Sequence, residues 1–276
     1  MRFGFAFNPT NPHARAALER AQAWSRSNAI ETWDSEAADR DRIAAACPGT
    51  DLVCVLGGDG TFLHAARGIG DSAAPTLGVN LGRIGFLAKV ETEDLERALA
   101  QVARGDFTIE DRFRIGAAVR RPGGEPEVHA CLNEVVVARG TRVRMIQVEV
   151  EVSGSHLATW VSDGVVVATP TGSTAYSFSA GGSVLDPRLR NMIITPVAAY
   201  LSPLRSVVAG EDHVVRLTLR QATAGATISI DGQWDLPMVV GETVEVRTLP
   251  VPLRMVELGG STPFYDLLRT KASLLP

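Results

Sequence analysis

Apolar and polar positions over the first hundred residues alternate between two textures. Short apolar runs at Arg2–Phe7, Leu52–Leu56 and Thr76–Val79 predict strands. Between them, alanine-rich stretches at Ala14–Ser25 and Asp39–Cys47, and a shorter one at Phe62–Arg67, predict helices. A further helix is expected over Thr92–Arg104, where Leu95, Ala98, Leu99 and Val102 recur at helical spacing and Thr92 opens a cap. Strand–helix alternation of this kind implies a parallel sheet covered by helices.

From about Phe107 the pattern changes. Valine-rich segments that alternate or run apolar stand at Arg114–Arg120, Val128–Ala138, Met145–Val152, Val165–Ala168, His213–Leu219, Thr227–Ile230 and Glu242–Val246. Turn signals separate them: Arg121-Pro122-Gly123-Gly124, Arg139-Gly140, Ser153-Gly154, Ala224-Gly225 and Gly241. A mostly antiparallel β domain is expected. Thr262–Lys271 has a helix start and a helical period, and is expected to pack back on the first domain. The expected architecture is α/β plus β. A Rossmann-like α/β domain covers residues 1–105 and is completed by a C-terminal helix at about 253–276; a β-rich, sandwich-like domain covers 106–252.

Composition narrows the classes of function. The 276 residues, 45% hydrophobic and 21% charged, suffice for one large or two ordinary domains with real cores. A net charge of −4 argues against a non-specific nucleic-acid binder. There is no apolar run of membrane-spanning length, and Met1–Asn8 is too short for a signal peptide, so no membrane association is expected. Cys47, Cys54 and Cys131, and five scattered histidines, show neither disulfide nor zinc spacing. Core thiols in a reducing cytoplasm are the expectation.

The candidate chemistry begins at Gly57-Gly58-Asp59-Gly60-Thr61, directly after the strand ending at Leu56. Two glycines before the acid allow positive φ and close approach of a ligand. Asp59 is then displayed at a strand's carboxyl end, where open α/β sheets bind ligands, and free N–H groups of the following helix favour phosphate. A tight turn with an Asx cap is the plain alternative. Gly78-Val79-Asn80-Leu81-Gly82-Arg83-Ile84-Gly85-Phe86-Leu87 repeats the device at what would be a neighbouring strand end. Asn133-Glu134 opens an apolar strand; Asn suits a purine edge, and Glu, accepting two hydrogen bonds, suits adjacent ribose hydroxyls. A strand-start turn would explain the same pair.

The longest motif runs from Ser162-Asp163-Gly164 through Thr169-Pro170-Thr171-Gly172-Ser173-Thr174-Ala175-Tyr176-Ser177-Phe178-Ser179 to Gly181-Gly182. Its density of hydroxyls suits phosphate and ribose, and Tyr176 offers a face for a base. A serine-rich linker is the alternative. In Asp231-Gly232-Gln233 a hairpin turn accounts for Asp231 and Gly232, while Gln233 can reach a ligand.

Together, in this order and at these intervals, the five motifs resemble the NAD kinase family over nearly the whole chain. The first motif alone is shared with diacylglycerol and sphingosine kinases, so a lipid kinase is the alternative; a non-catalytic dinucleotide-binding regulator is a third reading that Asp59 disfavours. The resemblance implies phosphorylation of the 2′-hydroxyl on the adenosine ribose of NAD to give NADP, with ATP or polyphosphate as donor. It also implies a divalent metal ion such as Mg²⁺, and a homodimer or homotetramer.

Carried over by position, Asp59 matches the general base and Gly57, Gly58, Gly60 and Thr61 its loop. Asn133 and Glu134 match the pair holding adenosine, and Asp163 an acid that contacts the dinucleotide, often across a subunit boundary. Thr171, Thr174, Ala175, Tyr176, Ser177, Phe178 and Ser179 match the loop around ribose and base, and His64, Arg144, Ala198 and Gln233 further contacts. The chain departs from many members at Val161, where they carry a basic residue, and over Pro196–Ser202, where they read Pro-His-Ser/Thr-Leu-Ser.

Overall fold

The computed structural model describes residues 1–82, 85–121, 126–140 and 144–273. Arg83-Ile84 of the second glycine motif and the turn at Pro122-Gly123-Gly124 lie outside the described residues. Two compact units are formed, one from Met1–Asp111 with Pro252–Pro276, the other from Arg112–Val251.

In chain order the first unit opens with β1 (Arg2–Phe7), α1 (Ala14–Ser27), β2 (Glu31–Glu36), α2 (Arg40–Ala46), β3 (Leu52–Leu56), α3 (Asp59–Ile69) and β4 (Thr76–Asn80). Then come β5 (Val90–Glu91), α4 (Leu95–Ala103) and β6 (Phe107–Arg112). The second unit contains β7 (Ile115–Arg120), β8 (Glu127–Cys131), β9 (Glu134–Arg139), β10 (Ile146–Val152), β11 (Ser155–Ser162), β12 (Gly164–Ala168) and α5 (Tyr176–Ser179). It continues with β13 (Asn191–Val197), β14 (Val207–Gly210), β15 (Val215–Gln221), β16 (Ala226–Ile230), β17 (Trp234–Met238) and β18 (Thr243–Thr248). The chain then returns to the first unit as β19 (Leu253–Leu258) and α6 (Phe264–Ser273).

The first unit is an α/β layer structure. Its sheet runs β2-β1-β3-β4-β19-β6, with β5 paired to β4. The pairs β1–β2, β1–β3, β3–β4 and β4–β19 are parallel. Strand β3 is buried at every position, as a central strand covered on both faces must be. Between β1 and β3 the strand order reverses, and the carboxyl ends there are where such sheets place ligands.

Two expectations are corrected. Residues 253–258, expected to belong to the C-terminal helix, form strand β19 inside the sheet, and the helix is confined to α6. β6 carries the first unit's sheet past residue 105.

The second unit is a sandwich of two six-stranded sheets, β11-β10-β15-β18-β7-β8 and β14-β13-β12-β9-β16-β17. Their inner faces share one core, from Ile115, Ala117 and Val119 on β7 and Val148 and Val150 on β10 to Val135 and Val137 on β9 and Val165 and Val167 on β12. The outer face of β9 and β12 is buried too: Val136, Val166, Ala168 and Ile193 pack with Leu185 from the segment after α5. Burial on both faces explains the unbroken valine runs of these two strands. The expected single strand Val128–Ala138 is two, broken at Leu132-Asn133.

Candidate functional site

Asp59 follows β3 by two glycines and opens the first turn of α3, so the helix starts three residues earlier than expected. A carboxylate there is favoured by the helix dipole. None of Gly57, Gly58 and Gly60 adopts positive φ, contrary to the expectation for the first two. Gly57 is needed for space instead: a Cβ would meet Thr61 Oγ1 at 2.4 Å.

The carboxylate of Asp59, half-buried, accepts Phe86 N–H on Oδ2 at 2.8 Å, and Leu87 and Ala88 N–H on Oδ1 at 3.0 and 3.1 Å. The two glycine motifs therefore meet at this residue. A carboxylate offers about four acceptor positions. Among the described residues Oδ1 has two donors and Oδ2 one, which leaves Oδ2 room for a further hydroxyl. His64 lies half-buried on the same helix; burial, then the charge of Arg67, pushes its imidazole below the ordinary value.

In the second unit the break between β8 and β9 is a small, rigidly held turn. Asp231, only 5% exposed and at φ 52°, places its carboxylate against three successive backbone N–H groups. These are Leu132 at 2.9 Å, Asn133 at 2.7 Å and Glu134 at 3.1 Å, with the Cys131 thiol donating as well. The Asn133 carbonyl accepts from Thr169 N–H at 2.8 Å, and the Thr169 hydroxyl donates to the Leu132 carbonyl. Gly172 lies against Asn133 so closely that a Cβ would stand 2.2 Å from its carbonyl oxygen.

With its backbone fixed on both sides, the pair still has free side-chain atoms. Asn133 Oδ1 and Glu134 Oε2 are buried, and among the described residues neither has a hydrogen-bond partner. Buried polar atoms left so are costly, and a ligand that supplies partners removes the penalty.

Burial first, and then the Asp231 charge, pushes the Glu134 carboxyl up to about 8. Burial also pushes Asp231 up, opposed by the Cys131 thiol and the three N–H groups. Four donors on one carboxyl favour its ionised form, so the pair's shared proton is held more readily by Glu134. Glu134 at neutral pH therefore offers one donor and one acceptor in place of the two acceptors expected of it.

The hydroxyls of the loop beyond β12 largely brace the loop itself. Ser177 is fully buried and bonded to Thr195 Oγ1 at 3.0 Å, so it braces the loop. Thr171 is buried, with Oγ1 accepting from Arg112 at 3.5 Å, and Thr174 donates to the Thr171 carbonyl at 3.3 Å. Tyr176 and Phe178 are 43% and 48% exposed and offer open aromatic faces, while Ala175 caps α5 and Ser179 ends it. Gln233 follows the Asp231-Gly232 turn, its N–H on the Ile230 carbonyl.

Asp163 and Ala198 are elsewhere. Gly164 pairs with Ala138 and Val197, and Ala168 pairs with Glu134, so the two lie at the opposite end of β12 from Asn133. Four residue steps of strand make about 13 Å. Asp163 is held there by an ion pair with Arg139 at 2.8 Å. Arg144 stands exposed before β10. Among the described residues no group of three or more His, Cys, Asp or Glu side chains gathers to hold a metal ion. Asp231, which a turn seemed to explain, is the residue sequence reasoning missed. Its signal is an acid at the end of an alternating strand, and pairing of that strand with β9 is needed to interpret it.

Comparison with known proteins identifies relatives over nearly the whole chain. The profile of the ATP-NAD kinase N-terminal domain matches residues 4–107, and that of the C-terminal domain residues 132–258. An NAD kinase of Heliobacterium modesticaldum is 43% identical over 221 residues, 80% of this chain and 78% of that protein. One from Syntrophotalea carbinolica is 33% identical over 278 residues, 98% of this chain and 97% of the relative.

Among solved structures, yeast NADH kinase complexed with NADH superposes with a TM-score of 0.84 at 22% identity, covering 100% of this chain and 87% of that one. An NAD kinase from Archaeoglobus fulgidus in complex with ATP gives 0.80 at 24% identity, covering 99% and 100%. These two show the shared fold. By its sequence and its two matched domains, the chain belongs to the NAD kinase family.

Proposed function

We propose that this protein transfers a phosphoryl group from ATP to the 2′-hydroxyl on the adenosine ribose of NAD, giving NADP. The observation that carries the reading is the pair of buried oxygens on Asn133 and Glu134 that lack partners among the described residues, on a backbone whose N–H groups Asp231 already holds. An adenine edge and a ribose hydroxyl supply the partners they lack.

Asp59 is the base in this reading. A ribose hydroxyl is a poor nucleophile at neutral pH, and a carboxylate within hydrogen-bond reach takes its proton as the new bond forms. The free position is on Oδ2, since Oδ1 already holds two N–H groups. The remaining work is positioning and charge neutralisation. A divalent cation such as Mg²⁺ commonly binds through substrate phosphates with one or two carboxylates. Because no cluster of three ligating side chains gathers among the described residues, such an ion would come in on the donor phosphates and would supply charge neutralisation there.

Tyr176 would stack on a base, and Thr171 and Thr174 would line the ribose. Asp163 and Ala198, at the far end of β12, would serve a dinucleotide held by a second copy of the chain in a homodimer or homotetramer. Light scattering on the purified protein reads that assembly directly.

Incubation of the protein with Mg²⁺, ATP or polyphosphate, and either NAD or diacylglycerol tests the activity. NADP should form, and phosphatidic acid should not. Absence of NADP with both donors would sink the proposal.

A further inference from the structure

The three N–H groups on Asp59 belong to a loop whose other side touches α6. Gly85 has no room for a side chain there, since its Cβ would lie 1.8 Å from Asp59 Oδ1. Gly78 is hemmed in likewise, its Cβ meeting the Leu87 carbonyl oxygen at 2.5 Å. The loop therefore wraps the carboxylate closely on its inner side.

On the outer side the half-buried ring of Phe86 lies 5.8 Å from the ring of Phe264, tilted by 46°. The ammonium of Lys271 stands 5.1 Å from the same ring's centre. Tyr265 meets Phe264 edge-on at 5.2 Å. Among the described side chains of α6, Leu267 alone is fully buried. Phe86 and the helix therefore rest on one another through Phe264 and Lys271.

We propose that α6 is a positioning element for the catalytic carboxylate. Phe264 and Lys271 hold Phe86, and the Phe86 N–H sets the direction of Asp59 Oδ2, the oxygen with room for the substrate's proton. The proposal rests on the reading of Asp59 as base. Its physical content is that reaction rate is steep in the placement of a reacting group, so that a shift near 1 Å costs as much as about a hundredfold. Substrate affinity, set by other residues, should be indifferent to α6.

A double-mutant cycle tests it. Phe264→Ala should lower kcat about tenfold, leaving the KM for NAD within about twofold, and Phe264→Tyr, which keeps the ring, should restore turnover. Lys271→Met, at a site with no core to disturb, should lower kcat by about two- to fivefold. In an Asp59→Asn background Phe264→Ala should have no further effect, because the carboxylate it positions is already gone.

Unchanged turnover in both Phe264→Ala and Lys271→Met would overturn the proposal, as would an undiminished tenfold loss in the Asp59→Asn background. Should Phe264→Ala fail to fold by circular dichroism, Lys271→Met carries the same cycle alone. Near-wild-type turnover in Asp59→Asn by itself would remove the base, and the proposal falls with it.

Discussion

At Glu134 and Asp231 the chain buries two carboxyl groups beside one another, and their surroundings separate them. Asp231 has four donors and holds the charge; Glu134 has an oxygen with no partner and holds the proton. The folded state thus binds the Glu134 proton more tightly than the unfolded chain does. Its contribution to stability is fully present below about 4.5 and is lost as pH rises through about 8. Glu134→Gln removes that dependence. The fall in Tm between about pH 6 and about pH 9 should therefore shrink by several degrees in the variant; an unchanged fall would contradict the assignment of the proton. Asp231→Ala leaves three buried N–H groups without an acceptor and should lose about 2–4 kcal/mol in urea unfolding. A loss below about 0.5 kcal/mol would show that the turn holds without it. Asp59 stands out in the sequence because an acid among glycines is conspicuous, and Asn133 and Glu134 because they interrupt an apolar run. Asp231 does not, because its partners are about a hundred residues away in the chain and only the β9–β16 pairing brings them to it.

Elements were legible where one physical signal dominated. β1 and β3 stand over the residues expected from their apolar runs, and α1 and α2 fall within two residues of the expected ends. β2 was not legible: Glu31-Thr32-Trp33-Asp34-Ser35-Glu36 lies at the sheet edge, where solvent permits polar side chains. β11, β13, β14 and β17 are not marked by the apolar pattern either; β17 contains Pro237 and lies at an edge, the position in which a sheet tolerates proline. The misassignment of residues 253–258 has a different cause. Leu253-Arg254-Met255-Val256-Glu257-Leu258 is short and followed by a helix, and only its place between β4 and β6 makes it a strand. That place predicts its importance. Met255 is 2% exposed, and Met255→Asp should destabilise the protein by about 3 kcal/mol or more. Unfolding in urea with a midpoint equal to that of the parent would contradict β19 as an inner strand.

In the proposed function the two units of the molecule carry different tasks. The α/β unit displays a carboxylate beside the switch of strand order, with one acceptor position open. The sandwich displays an amide and an acid whose buried oxygens await partners. Fold class was legible from texture alone, since the change near Phe107 marks where helical spacing gives way to valine-rich strands. The division of tasks was not, because it depends on which backbone groups already occupy each carboxylate. Measuring kcat and NAD affinity together on Asp59→Asn and Asn133→Ala tests it. Asp59→Asn should lower kcat by roughly 10²–10⁴-fold with NAD affinity changed far less, and Asn133→Ala should chiefly weaken NAD binding. Near-wild-type kcat in Asp59→Asn, accompanied by only a modest fall in Tm, would make Asp59 a turn residue and contradict the account.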